Sequence, residues 1–461
     1  MSIDGGGMVR TAFPSGSRGG RISRGEFVRQ HLTEAVADFL SFSGNTNDLL
    51  NGLEGFPPRE WNRTLAWLHD AGLALYFLQE LKDANATDIL PRSALSRLEE
   101  NLAANRRRVA FMSRQFDSIN QKFQHAGVKY VAVKGFSLVP EFCPDASLRH
   151  QSDFDYLVDR QSLTGAQQVL MDAGYLLTKC TANEFVFLMP SSGIPPAADE
   201  QYEAHAPYAV ELHLGFWDSN LHGVHLEEPE FSVENTITKT WEEVVFRALP
   251  VEDAFLLQVI HAFHHLLTGW VRMSWLYEIG HFLNQQAQDT RFWERIESRI
   301  ESDPLLREMV VVVAELSAWF FGSPLPPHFA IWAENLRPTV RLWIQNYART
   351  WAFKNQLGQV SLFSVDKFVL FLHQQYLPDA RARRHLIRMR LLPLEQLFRR
   401  AHSITNPFST NPRRRAQQLE RVLIRLVFHV TGGLRYLWEI RRWRRLNKAI
   451  APPDFQTSVV R

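Results

Sequence analysis

The run Ser152-Asp153-Phe154-Asp155-Tyr156-Leu157-Val158 sets two carboxylates two residues apart among strand-forming side chains. In a strand such positions point to one face, so Asp153 and Asp155 stand side by side. Adjacent carboxylates repel, and their pairing is tolerated at an exposed strand end or stabilised by a cation. The run Val210-Glu211-Leu212-His213-Leu214 repeats the geometry, with Glu211 and His213 on one face and three apolar residues on the other. If this strand lies beside the first, Asp153, Asp155 and Glu211 converge as hard oxygen ligands suited to Mg²⁺, with Mn²⁺ as the alternative. Two such ions about 4 Å apart would bind the attacking oxygen and the triphosphate of an in-line displacement.

A triphosphate needs donors, and the turn after residues 129–135, "KYVAVKG", offers them. Gly135 permits close backbone approach, the start of an expected helix "FSLVPEF" offers free N–H groups, and Lys134 and Ser137 add contacts. Arg149, four residues before Asp153, is a further cation within reach of phosphate, and His213 is placed either to touch substrate or to support Glu211. His261, His264 and His265 fall on one expected helix. His261 and His265 imitate a metal pair, but no glutamate follows the first histidine as in the zinc-protease pattern, so the helix reads as a wall of the cleft. Singly, an Asp-x-Asp strand end is more often a surface turn and a Lys-Gly pair a strand terminus; order and spacing favour a site.

These residues need elements to hold them. Residues 27–125 carry apolar positions at helical spacing, closing on Gly127. Strands are expected at 129–135, 152–158, 176–181, 184–189 and 208–217, with an amphipathic helix at 160–175 and a Pro/Ser/Ala-rich loop at 190–198. After Glu227 the helical pattern resumes, first at 250–267 with Pro250 at its start. The expected class is α+β: a small mixed-sheet domain flanked by N-terminal and C-terminal helical regions. The divisions are a disordered tail (1–25), a helical region (26–125), the catalytic core (126–227), a helical domain (228–380) and a basic helical region (381–461).

At 461 residues the chain exceeds what one hydrophobic core normally serves. Two cysteines, Cys143 and Cys180, are too few for a disulfide framework or a paired-cysteine zinc site, and a cytoplasmic setting is expected. No apolar run is long enough to span a bilayer; the best, 309–321, is broken by Glu315 and reads as a buried helix. The net charge of +2 hides an asymmetry: residues 381–450 hold 18 Arg or Lys against Glu395, Glu420 and Glu439, a local +15. The last eleven residues balance, leaving 2 − 15 = −13 on residues 1–380. Such an end suits an anionic partner, RNA or a membrane surface, or a solvated helical surface. "RRRAQQLERVLIRLVFHV" and "LRYLWEIRRWRRL" fit membrane-surface helices, and an ordinary helical bundle equally.

Three stretches, "VKG" at 133–135, "RHQSDFDYLV" at 149–158 and "ELH" at 211–213, give the chain a resemblance over about residues 105 to 283. It resembles the uncharacterised nucleotidyltransferase family of the DNA-polymerase-β-like superfamily. The resemblance implies that Asp153, Asp155 and Glu211 are catalytic metal ligands and that the Lys134–Ser137 turn cradles triphosphate. The chain departs from the superfamily in Phe136, where a small residue is frequent, in Ser152, where glycine is usual, and in Glu211, where aspartate is commoner. The implied activity is metal-dependent transfer of a nucleoside monophosphate from an NTP, ATP foremost, to an unidentified acceptor with release of pyrophosphate. The alternatives are an inactive nucleotide- or nucleic-acid-binding module, or a peripheral membrane-surface protein using the basic helices.

Overall fold

Runs rich in β-branched and aromatic residues supply seven strands: β1 Tyr130–Val133, β2 Asp153–Val158, β3 Leu176–Cys180, β4 Glu184–Leu188, β5 Ala209–His213, β6 Ile237–Trp241 and β7 Val244–Ala248. In this computed structural model, which describes residues 24–189, 202–204, 206–226, 229, 231–269, 271–354, 367–391 and 412–450, they form one mixed sheet ordered β3-β4-β5-β2-β1-β7-β6. β2 is central, antiparallel to β1 and parallel to β5. Residues 1–23 of the expected tail and the 190–198 loop lie outside the described residues, while Arg24 and Gly25, expected in the tail, open a helix.

The sheet extends past the boundary expected at residue 227. β6 and β7 form a hairpin whose Val244, Phe246 and Ala248 alternate as buried residues with exposed ones, and β7 joins β1 in parallel. The helical pattern therefore returns at 251 rather than after 227. Short strands with charged outward positions carry a weak apolar signal, which is why this hairpin is hard to read from composition.

Five helices precede the sheet: α1 Arg24–Phe39, α2 Thr46–Asn51, α3 Pro58–Ala71, α4 Ala74–Asp83 and α5 Arg92–His125. Along α5, Leu98, Leu102, Met112, Phe116, Ile119 and Phe123 recur at three- to four-residue spacing and are buried. Phe116 meets Phe136, Phe154 and Phe246 at ring-centroid distances of 5.2, 5.5 and 5.1 Å, seating α5 on one sheet face. Phe154 and Tyr156 fill that face, so the intervening Asp153 and Asp155 must point to the other.

The opposite face is only partly closed. After α6 Leu163–Asp172 and α7 Ser219–His222 comes α8 Val251–Thr268, whose Leu257 packs with Val131, Val133, Leu157 and Leu249 in a small separate cluster. α9 Met273–Gln286, α10 Thr290–Ile300 and α11 Pro304–Phe321 follow, with α11 packed on both α8 and α9. The apolar run expected as a buried helix lies within α11. Further helices include Ala380–Leu391 and Pro412–Ile450. Among the described residues no helix is long and apolar enough to cross a membrane.

Candidate functional site

The β2–β5 register sets Asp155 directly beside Glu211 and Leu157 beside His213. On the other flank of β2, Val133 at the end of β1 sits opposite Asp155. The chain then turns sharply: Lys134 and Gly135 adopt φ of 56° and 50°. A Cβ on Gly135 would stand 2.5 Å from Gln151 Nε2, so the turn requires glycine on both conformational and steric grounds. Lys134 Nζ consequently reaches back to Asp155 Oδ1 at 2.8 Å, and His213 Nε2 lies 2.8 Å from the same oxygen and 3.6 Å from Glu211 Oε2.

Asp155, Glu211 and His213 offer ligand atoms that all lie within 4.8 Å of one another, the one such trio among the described residues. Asp153 shares their face two residues earlier, where β2 begins. Burial pushes the Asp155 carboxyl up, but Lys134 and His213 outweigh it and hold the group well below the usual range. Burial and the neighbouring Asp155 push Asp153 up, against Lys134, Arg149 and Arg272. Burial, Asp155 and Asp153 together push Glu211 up to about 8. The lysine charge is thus spent on one acid while two others are held toward neutrality. Hard carboxylate oxygens with unmet negative capacity, beside one imidazole, are a donor set that fits a divalent cation.

The expected phosphate loop differs from its anticipated form. "FSLVPEF" makes only a 3₁₀ turn, Gly135–Leu138, because Phe136 is drawn into the core, stacked on Trp241 at 4.3 Å. The helix start expected to offer donors is therefore absent here. Ser137 Oγ donates to the Lys134 carbonyl at 2.8 Å and closes the turn on itself. Arg149 Nε donates to Glu278 Oε1 at 3.0 Å, with the Tyr76 hydroxyl also 3.0 Å from that oxygen. It flanks Asp153 electrostatically while anchored from behind.

Three residues that the sequence reading passed over shape the site. Arg108 of α5 donates to the backbone carbonyls of Gln151 at 3.0 Å and Ala206 at 2.8 Å, fixing the segments that lead into β2 and β5. It belongs to the run Arg106-Arg107-Arg108, which looks solvated, yet it falls on the same helical stripe as Leu98, Leu102 and Met112, the one signal that could have found it. Glu278 of α9 is the acid that holds Arg149. Arg272, just before α9, lies near Arg149, Glu278 and Asp153 and forms no ion pair among the described residues. No spacing ties it to β2.

The histidines of α8 are not members of the metal-capable trio. His261 packs on His265 and Trp275 at 4.6 and 4.5 Å, and His264 Nδ1 lies 2.9 Å from His222 Nε2. Burial and then the Lys134 charge push His264 down to about 4, and burial, His264 and Lys134 push His265 to about 3. Burial and the Lys134 charge both favour the neutral forms of these imidazoles.

Comparison with known proteins adds one finding. A family model described as an uncharacterised nucleotidyltransferase matches residues 57–322. That span runs from α3 to the end of α11, wider than the 105–283 suggested by the motifs, and takes in Tyr76 and the β6–β7 hairpin. No curated protein and no solved structure matches the chain.

Proposed function

Because the chain belongs to the uncharacterised nucleotidyltransferase family, we propose that it transfers a nucleoside monophosphate from an NTP, ATP first among them, to an acceptor hydroxyl or phosphate. The observation that carries this reading is the in-register placement of Asp155 beside Glu211, with Asp153 on the same face of the same strand. Family membership supports a general nucleotidyltransferase role; the metal, nucleotide and acceptor are the proposal.

Asp153, Asp155 and Glu211 would hold two Mg²⁺ ions, with His213 orienting Asp155 and Glu211 through its Nε2. Bound magnesium would supply neutralisation of the triphosphate and of the charge that develops on the leaving pyrophosphate. An acceptor oxygen forms a bond to the α-phosphorus while the bond from that phosphorus to the bridging oxygen breaks, and pyrophosphate leaves. The acceptor proton passes to a carboxylate of this face. Lys134, released from Asp155 once the acids are occupied, would meet phosphate, and Gly135 would let the backbone come close. Arg149 and Arg272 supply positive potential beside Asp153.

The test pairs binding with turnover. Purified protein is melted with each NTP, with Mg²⁺ or with chelator, and pyrophosphate release is followed with labelled NTP. Stabilisation that requires metal and nucleotide together, on the order of 3 kcal/mol at a hundredfold excess over Kd, is expected. Binding without any turnover, across a panel of acceptors, would instead favour an inactive nucleotide-binding module. No metal-dependent stabilisation by any NTP would end the reading.

A further inference from the structure

Over residues 426–449, the long helix Pro412–Ile450 buries one side against the body. Gly432, Tyr436, Glu439 and Trp443 recur at three- and four-residue spacing and are buried. Phe371 stacks on Tyr436 at 4.7 Å and on Trp443 at 5.0 Å, while the Tyr347 hydroxyl donates to Glu439 at 3.0 Å. A residue half a turn from these points the opposite way. There stand Leu423, Val430, Leu434, Leu437 and Trp438, all exposed, Leu434 at 63% and Trp438 at 76%. An apolar stripe of this length on the outside of a helix is unusual for a surface that meets only water.

The same outward side turns cationic one turn later, with Arg441, Arg445 and Lys448 exposed. The helix Ala380–Leu391 packs against the long helix and exposes Arg381, Arg384 and Arg388. Over residues 380–391 and 426–449 of these two helices, every exposed Asp, Glu, Lys or Arg side chain is basic, and Glu439 is buried. The remainder of the chain, residues 1–380, carries the −13 worked out above from the sequence.

We propose that this outward face of Pro412–Ile450, with its cationic flank from Ala380–Leu391, is a docking surface for an anionic phospholipid membrane. Leucine and tryptophan beside arginine suit the boundary between acyl chains and charged headgroups, where apolar side chains sink in and guanidinium groups stay at phosphate level. A nucleic-acid backbone would reward the cations but leave Leu434 and Leu437 in water. The helix lies in the surface rather than crossing it, since no described helix is apolar enough to span. The acidic body is repelled by the same lipids, so contact is oriented through this end. The surface is independent of the nucleotide chemistry proposed for Asp155 and its neighbours.

Sedimentation of the full chain with phosphatidylcholine vesicles, with and without phosphatidylserine, tests it. Binding is expected to the phosphatidylserine vesicles and to fall with added salt. Leu434→Gln with Trp438→Gln removes exposed side chains only, so the melting temperature should hold while partitioning drops on the order of tenfold or more. Arg441→Gln with Arg445→Gln should weaken it on the order of tenfold. The proposal is overturned if the chain ignores phosphatidylserine vesicles at low salt. It is equally overturned if it binds poly(U) and vesicles alike with no effect of the Leu434 and Trp438 changes, or if those changes instead disperse a dimer of the free chain.

Discussion

Replacing Glu211 by Gln removes one negative charge from the acid face and keeps the shape of the side chain. The Glu211 carboxyl, ordinarily at 4.5, is pushed up to about 8 by burial first and then by Asp155 and Asp153. Between those two values the folded chain holds a proton that the unfolded chain has lost, so metal-free stability falls as pH rises from about 4.5 and levels off above about 8. One pH step is worth about 1.4 kcal/mol, so by about pH 7 the metal-free fold has lost on the order of 3 kcal/mol relative to about pH 4.5. Glu211→Gln has no such proton to lose. Urea unfolding in chelator should therefore find wild type and variant alike near pH 5, diverging by a few kcal/mol in the variant's favour toward pH 8. Added Mg²⁺ should close that gap by raising wild type alone. Parallel stability curves at all pH values, or a variant weaker than wild type at about pH 8 in chelator, would refute the reasoning, because Glu211 would then not be crowded by the other acids.

Glu278→Gln strips the buried Arg149 of its counter-charge and should cost about 3–5 kcal/mol in urea unfolding, whereas loss of an exposed pair would cost less than about 1. Gly135→Ala places a methyl against Gln151 at a positive φ and should destabilise by about 1–3 kcal/mol while shifting the Lys134 turn, lowering turnover more than folding. Phe116→Ala opens the aromatic junction of α5 with Phe154 and Phe246 of the sheet and Phe136 of the turn after β1, and should cost about 3–5 kcal/mol, read as a lower urea midpoint at unchanged slope.

Much of this arrangement is legible in the residues because strand geometry has a period of two. Asp153, Asp155, Glu211 and His213 alternate with Phe154, Tyr156, Val210 and Leu212, so burying the apolar set on one sheet face brings the polar set together on the other. Which strands neighbour each other is a long-range property, and the Asp155–Glu211 register is seen only in the fold. The helix expected after Gly135 differs for a local reason: Phe136 reads as the start of an amphipathic helix but is consumed by the Phe116 and Trp241 cluster, and the segment closes as a single 3₁₀ turn. Arg149 was legible as a cation near Asp153, whereas its anchor Glu278 lies 129 residues on, on α9, beyond the reach of any spacing rule. The β6–β7 hairpin was missed because Thr238, Lys239, Thr240 and Arg247 dilute its apolar alternation below that of the neighbouring helices.

The most direct measurement is NTP turnover, with metal-free melting on the same samples, for wild type and for Asp153→Asn, Asp155→Asn and Glu211→Gln. Each substitution is nearly isosteric, so a site that works by holding cations against triphosphate should lose at least about a hundredfold in transfer, several kcal/mol of transition-state stabilisation. Asp153→Asn and Glu211→Gln should melt no lower than wild type in chelator, since both acids are pushed up by their neighbours. Asp155→Asn should melt lower, because Lys134 and His213 favour its ionised form. Wild-type turnover in the Asp153→Asn or Asp155→Asn protein would contradict the account.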